Sequence, residues 1–422
     1  MRIGRVVGAV VVGLLLAACT LPVGNPTGDD ADLVLVLPAL DQNTFVQEQQ
    51  LLQPFLAQLN LSHTFVPLSD IVAANHGAPL TAESVRQYLR GRFTWRFSTA
   101  QRPRYLGIVA APTADYTGAP MQVPTIPRFL LHAAAPFDQT FDTDLPYEFL
   151  APATIDGGDG TVDPNDLNLS FPTFDVFRIP ISQPADLTTF ADRHAAFTAA
   201  SYRSDATLLA GSVQTNGDTS AIQCLNANAL QQPNLATHVF KIFDSTTCSP
   251  DVMTTPSGPS AASVLAASNS AFHGGLVVDV SHGSPSAIFA NNGSSTNLDV
   301  TGAATIPSNR LNIFVSIACD NDGARVGARN LAAAMYEQSS VAVVSATTTV
   351  TPVSPDSVLA AEVDSVVGLY QHPENLLQRL HAFRTDYYTR FVRTTTGGVQ
   401  TLHWINLLTV NLVGDGFVSV AR

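Results

Sequence analysis

Apolar residues in this chain gather in two ways: short runs of strand length, and stretches where they return every three or four positions. Leu33 to Leu37 is a run of the first kind. Leu51, Leu52, Phe55, Leu56 and Leu59 carry helical spacing across Gln47 to Leu59. Thr64-Phe65-Val66 is the next extended piece. Thr81-Ala82-Glu83 opens a second helix carrying Val85, Tyr88 and Leu89, and Tyr105 to Ala110 follows as a strand. Further runs of strand length lie at Ala206 to Ala210, Leu276 to Val280, Ile313 to Ile317 and Val341 to Val344. Asn375 to Phe391 has the periodicity of an amphipathic helix, and Val410 to Val413 and Phe417 to Val420 flank the turn Gly414-Asp415-Gly416. Strands alternating with helices predict an α/β chain built on a mainly parallel sheet. Residues 111–175, rich in Pro, Asp and Gly, read as long surface loops.

The first residues break this pattern and read as an address. Arg2 and Arg5 precede an apolar run from Val6 to Leu16, too short to span a bilayer, which ends at Leu16-Ala17-Ala18-Cys19. That ending resembles the bacterial lipobox, which implies a signal peptide over residues 1–19 and acylation of Cys19. Residues 20–32 then read as a flexible tether. The protein is expected at the bacterial cell envelope, outside the cytoplasm, touching membrane only through its N-terminal lipid. A formal charge of −13 over 422 residues, with 13% charged, excludes nucleic acid and anionic lipid surfaces as electrostatic partners.

Export also decides how the cysteines are read. Cys224, Cys248 and Cys319 remain beyond Cys19, an odd count that predicts one bridge and one thiol in an oxidising compartment. Cys224 and Cys248 share one polar stretch and form the natural pair. Cys319 is left at the end of an apolar strand, as either a buried core cysteine or a nucleophile.

Chemistry in parallel α/β sheets collects at the carboxyl ends of strands. Two such ends carry reactive side chains. Leu276 to Val280 runs into Ser281-His282-Gly283-Ser284, and Asn312 to Ile317 runs into Ala318-Cys319-Asp320-Asn321. A thiol needs a neighbouring imidazole to lower its pKa and to return a proton to the leaving amine. Gly283 lets backbone approach a substrate, and its N–H could meet a developing oxyanion. The dipeptide alone selects nothing, because His-Gly also occurs at His76-Gly77 and His273-Gly274; only His282-Gly283 follows a five-residue apolar run. A structural loop histidine beside a core cysteine is the plain alternative.

A hydrophobic strand ending in His-Gly, followed by one ending in Ala-Cys, resembles the caspase-fold peptidases and specifically the gingipain family. Arg104 to Val109 resembles that family's early strand, and Asp142-Thr143-Asp144-Leu145-Pro146-Tyr147 its Ser-Asp-x-x-Tyr segment. Phe174 to Pro180 resembles its Arg-Ile-Pro strand, Asn330 to Thr347 its helix and strand after the nucleophile, and Asn411 to Gly416 its closing Gly-Asp turn. The resemblance implies a caspase-like sheet flanked by helices, with a smaller N-terminal α/β part over 33–200 and a catalytic part over 201–422. It implies a cysteine endopeptidase acting on polypeptides as a monomer, with Cys319 and His282 catalytic and no cofactor needed. Asp144 falls where the family places an acid for a substrate Arg or Lys. Ala110-Ala111-Pro112 stands where the family has Gly-Asp, which leaves Asp115 as a loose candidate for the orienting acid. Asp320, beside the nucleophile, adds a charge that would raise the thiol pKa. A rival reading keeps the scaffold as an inactive surface lipoprotein that binds a partner.

Asp156, Asp159, Asp163 and Asp166 resemble a calcium loop, with acids spaced for oxygen ligation and glycines between them. Their first interval is one residue short of the EF-hand pattern, so a structural Ca2+ competes with a solvated acidic loop. No histidine pair has zinc spacing.

Overall fold

The computed structural model describes residues 31–93, 105–133, 139–150, 174–204, 206–210, 237–241, 275–280, 282–290, 295–323, 329–346 and 374–420. Its strands are β1 (Leu33–Leu37), β2 (His63–Pro67), β3 (Tyr105–Val109), β4 (Phe129–Ala133), β5 (Gln139–Thr143), β6 (Asp175–Ile179), β7 (Ala206–Ala210) and β8 (Thr237–Lys241). They continue with β9 (Leu276–Val280), β10 (His282–Ser284), β11 (Ala287–Ala290), β12 (Ser295–Asp299), β13 (Asn312–Ile317), β14 (Ser340–Ala346) and β15 (Val410–Gly414). Ten of them form one sheet in the order β2-β1-β3-β6-β15-β14-β13-β9-β7-β8. Within β2-β1-β3-β6 all neighbours are parallel, as they are within β14-β13-β9-β7-β8. β15 is antiparallel to β14 and parallel to β6. The two parallel sets therefore point in opposite directions, and their carboxyl ends open on opposite rims.

Each set steps the same way: its second strand lies outside the first, and its third lies inside. The reversal falls between β1 and β3 in one set and between β7 and β9 in the other. A reversal leaves a crevice at the strand ends, because the following loops diverge to opposite sides. His282 follows the strand at the second of these points. β15, although last in sequence, joins the two sets, so the parts expected on either side of residue 200 share one sheet.

Strand side chains alternate between two cores, as a period of two requires. In β13, Ile313 and Val315 join one core and Phe314 the other; in β14, Ala342 and Val344 oppose Val343. The first core is covered by helix α1 (Gln42–Leu59) and, after α2 (Leu68–Ala74) and α3 (Ala82–Phe93), by α4 (Asp186–Ala199), with Phe55 and Phe190 at 4.7 Å between ring centroids. Asp41 caps α1 by accepting from the N–H groups of Asn43 and Thr44. The second core is covered by α5 (Leu331–Gln338). Helices α6 (Leu376–Tyr387) and α7 (Gly397–Thr409) follow.

Two expectations change. Within 111–175 the described residues hold the β4–β5 hairpin, and Phe129, Phe141, Tyr147, Phe149 and Leu150 are buried. The Tyr147 hydroxyl donates to the Pro127 carbonyl at 2.7 Å. Two of the acids that suggested a surface loop are buried and paired: Asp142 with Arg128, and Asp144 with Arg128 and Arg178. After Gly414 no strand forms over Phe417 to Val420; the Phe417 ring instead packs edge-on to Tyr105 and Phe177, at 4.9 and 5.5 Å.

Candidate active site

β9 and β13 are adjacent, parallel and in register, with Val280 opposite Ile317. His282 and Cys319 each stand two residues past that last pair, on strands about 4.8 Å apart. His282 opens β10, opposite Phe289 of β11. Gly283 shows how close the two loops come. A Cβ there would lie 2.3 Å from the Cys319 carbonyl oxygen and 2.9 Å from its nitrogen. Only a residue with no side chain lets the His282 hairpin lean on the Cys319 backbone. Cys319 is half-buried.

The chain turns sharply after Cys319. Asp320 has φ +60°, the left-handed region that a non-glycine residue adopts at a cost, and such residues concentrate at functional turns. The turn closes where the Gly323 N–H donates to the Asp320 carbonyl at 3.2 Å, and the Asp322 N–H reaches Ala346 at the end of β14. Asn321, fully buried, donates from Nδ2 to the carbonyls of Ser284 (2.7 Å) and Ala287 (3.2 Å), and its Oδ1 accepts from Ser316 Oγ at 2.6 Å. The start of α5 holds both loops as well: Leu331 N–H donates to Pro285 and Ala332 N–H to Asn321.

Behind the turn lies a buried ionic cluster. Asp322 accepts from Tyr116 Oη at 2.5 Å and from Arg128 Nη2 at 2.7 Å. Arg128 also reaches Asp142 and Asp144, both at 3.2 Å. Arg178 donates to both oxygens of Asp144, at 2.5 and 2.8 Å, and to the carbonyls of Ala110 and Ile126. Burial pushes Asp322 up to about 6, although Arg128 and the Tyr116 hydroxyl pull the other way. Burial would also raise Asp144, but Arg178 and then Arg128 outweigh it and hold the carboxyl below its usual range. Burial would pull the Arg128 guanidinium down; Asp322 and Asp144 keep it well above its ordinary value. Asp144 is therefore not an acid standing open for a substrate cation. Its oxygens are taken by two arginines of its own chain.

A model of peptidase family C25 matches residues 27–421. The chain belongs to peptidase family C25. This C25 protein is thus a cysteine-type peptidase, acting on polypeptide substrates, with the mostly parallel, helix-flanked sheet of the gingipain caspase-like fold. No curated protein matches it by sequence. Among solved structures, it is similar to the Arg-specific cysteine proteinase gingipain R, at TM-score 0.62 and 15% identity over 93% of this chain and 78% of that one. It is also similar to a structure described as a protease, at TM-score 0.55 and 10% identity over 92% and 78%. At these identities the likeness is one of fold.

The peptidase's other expected sites divide clearly. Asp115 is exposed on the segment after β3, and its neighbour Tyr116 is the residue that reaches the turn after Cys319. Cys19, Cys224, Cys248, Asp156, Asp159, Asp163 and Asp166 lie outside the described residues. Among the described residues no group of three His, Cys, Asp or Glu could hold a metal ion, and no helix is long and apolar enough to cross a membrane. Asn321, Asp322, Tyr116 and Arg128 were not singled out by sequence. The only local signal was polar residues directly after an apolar strand, and their partners lie far away in the chain.

Proposed function

We propose that this C25 peptidase is an endopeptidase using Cys319 as nucleophile and His282 as acid and base. The observation that carries the reading is the register of β9 and β13, with Gly283 against the Cys319 backbone. His282 takes the thiol proton, and the Cys319 sulfur adds to the scissile carbonyl. The Gly283 N–H is the proposed donor to the resulting oxyanion. As the C–N bond breaks, His282 gives its proton to the leaving amine. A water molecule, deprotonated by His282, then attacks the thioester, and the acid product and free thiol are restored.

Cleavage after Arg or Lys is the proposed preference, in keeping with the Arg specificity of gingipain R. Because Asp144 is occupied, the acid that meets a substrate cation has to be another one. A positional peptide library read on purified protein tests the preference. Cys319→Ala should lower turnover by about 10⁴- to 10⁶-fold, and His282→Ala comparably. Near wild-type activity in both variants would sink the assignment.

The same proposal places the peptidase at the cell envelope on a lipidated Cys19, with a Cys224–Cys248 bridge and calcium in the Asp156 to Asp166 loop. Loss of the Cys19→Ser protein from the membrane fraction tests the anchor, and non-reducing peptide mapping tests the bridge. An unchanged melting temperature on chelation would remove the calcium.

A further inference from the structure

Two loops must keep a fixed distance for the proposed reaction, one bearing His282 and one bearing Cys319. Backbone pairing does not hold them there, because β9 and β13 stop pairing at Val280 and Ile317. Beyond that point the start of α5 bonds to each loop, through Leu331 and Ala332, and one side chain joins the two loops directly. Asn321 is fully buried, two residues after Cys319, and its amide spans the gap. Both Nδ2 hydrogens go to the His282 hairpin, on the carbonyls of Ser284 and Ala287 that flank its Pro285-Ser286 turn. The Oδ1 accepts from Ser316 on the strand leading to Cys319, and the same Ser316 hydroxyl lies 3.2 Å from Asp279 on the strand leading to His282.

An amide suits this place for a chemical reason. It offers two donors and an acceptor on one rigid plane, matching two carbonyls on one side and a hydroxyl on the other. A carboxylate would face two carbonyl oxygens with no proton, and an apolar group would take this donor from both carbonyls. We propose that Asn321 is the positioning residue of the site, setting the separation of His282 and Cys319 by tying the His282 hairpin to the nucleophile turn. It touches no substrate and acts through the two residues it spaces. The inference rests on the Cys319–His282 reading. If the tie is cut, the hairpin relaxes away from Cys319, and the imidazole no longer stabilises the thiolate. An ångström of misplacement is enough to cost on the order of a hundredfold in rate.

The test follows alkylation of Cys319 by iodoacetamide against pH, together with kcat, KM and melting temperature. Asn321→Ala should lower kcat at least about tenfold with KM little changed, and move the alkylation midpoint up by roughly one pH unit. Asn321→Ser, which keeps one donor, should shift both in the same sense by less. Asn312→Ala is the control: it removes the buried Ser340–Asn312 hydrogen bond at the far end of β13, so it should lower the melting temperature and leave kcat and the midpoint in place. If the Asn321 variants behave like Asn312→Ala, the proposal is overturned. Where Asn321→Ala yields no folded protein, Asn321→Ser decides by the same criterion. His282→Ala separates the two levels. If it leaves the alkylation curve unmoved, the dyad reading falls and this inference with it. If it moves the curve while both Asn321 variants leave it in place, the inference alone falls.

Discussion

Gly283 and Glu48 show how far a single residue's environment decides its behaviour. Gly283 is required by contact, since any side chain would overlap the Cys319 backbone. Gly283→Ala should lower kcat/KM by about a hundredfold or more while the protein stays folded; unchanged kinetics would show that the two loops do not need this approach. Glu48 on α1 is fully buried, and burial pushes its pKa up to about 7, the Ala39 amide offsetting this only in part. Its folded value lies above the unfolded one, so the stability it contributes is fully present below about pH 4.5 and is lost as pH rises through about 7. Glu48→Gln should therefore match the wild type in acid and exceed it above neutrality, by up to about 3 kcal/mol. Equal denaturation midpoints at pH 8 would refute this. Both features escape a sequence reading, because neither a glycine's neighbour nor a glutamate's depth is written in local pattern.

Among the elements, β1 and β9 were legible residue for residue from apolar runs, since a strand buried on both faces needs no partner to be recognised. Helix α6 was legible too, and its start has a local cause. Asn375 accepts from the Gln378 N–H while the Gln378 side chain accepts from the Asn375 N–H, a reciprocal cap. Asn375→Ala should cost about 1 kcal/mol in chemical denaturation with activity kept, and a loss of activity larger than the loss of stability would count against a purely local role. The β4–β5 hairpin was not legible. Asp142 of β5 and Asp144 just after it are polar, and Arg128, directly before β4, and Arg178, on β6, make their burial tolerable.

At the scale of the whole molecule, the ionic cluster ties the β4–β5 hairpin, β6 and the turn after Cys319 into one unit. Removing one member leaves charge uncompensated in the interior. Asp144→Asn should destabilise by about 3–5 kcal/mol. Its lowered folded pKa means the wild-type contribution is present above about pH 4 and is lost as pH falls, so the gap between the two proteins should narrow in acid. Any activity lost should fall equally on substrates with charged and uncharged residues before the scissile bond. A loss confined to Arg and Lys substrates would restore Asp144 as the specificity acid.

By itself the sequence determined most strands of the central sheet and the helices α1, α3 and α6, and it placed His282 and Cys319 at strand ends, because hydrophobic period and strand-end position are local properties. The tertiary structure alone decided the rest. Strand order set β9 beside β13 in register, turned the two parallel sets to opposite rims, and brought β15 from the end of the chain into the middle of the sheet. It also chose the partners of Asn321, Asp322 and Asp144, which lie tens to hundreds of residues away. Pairings over such distances depend on which loops the fold brings together, and no local spacing records that.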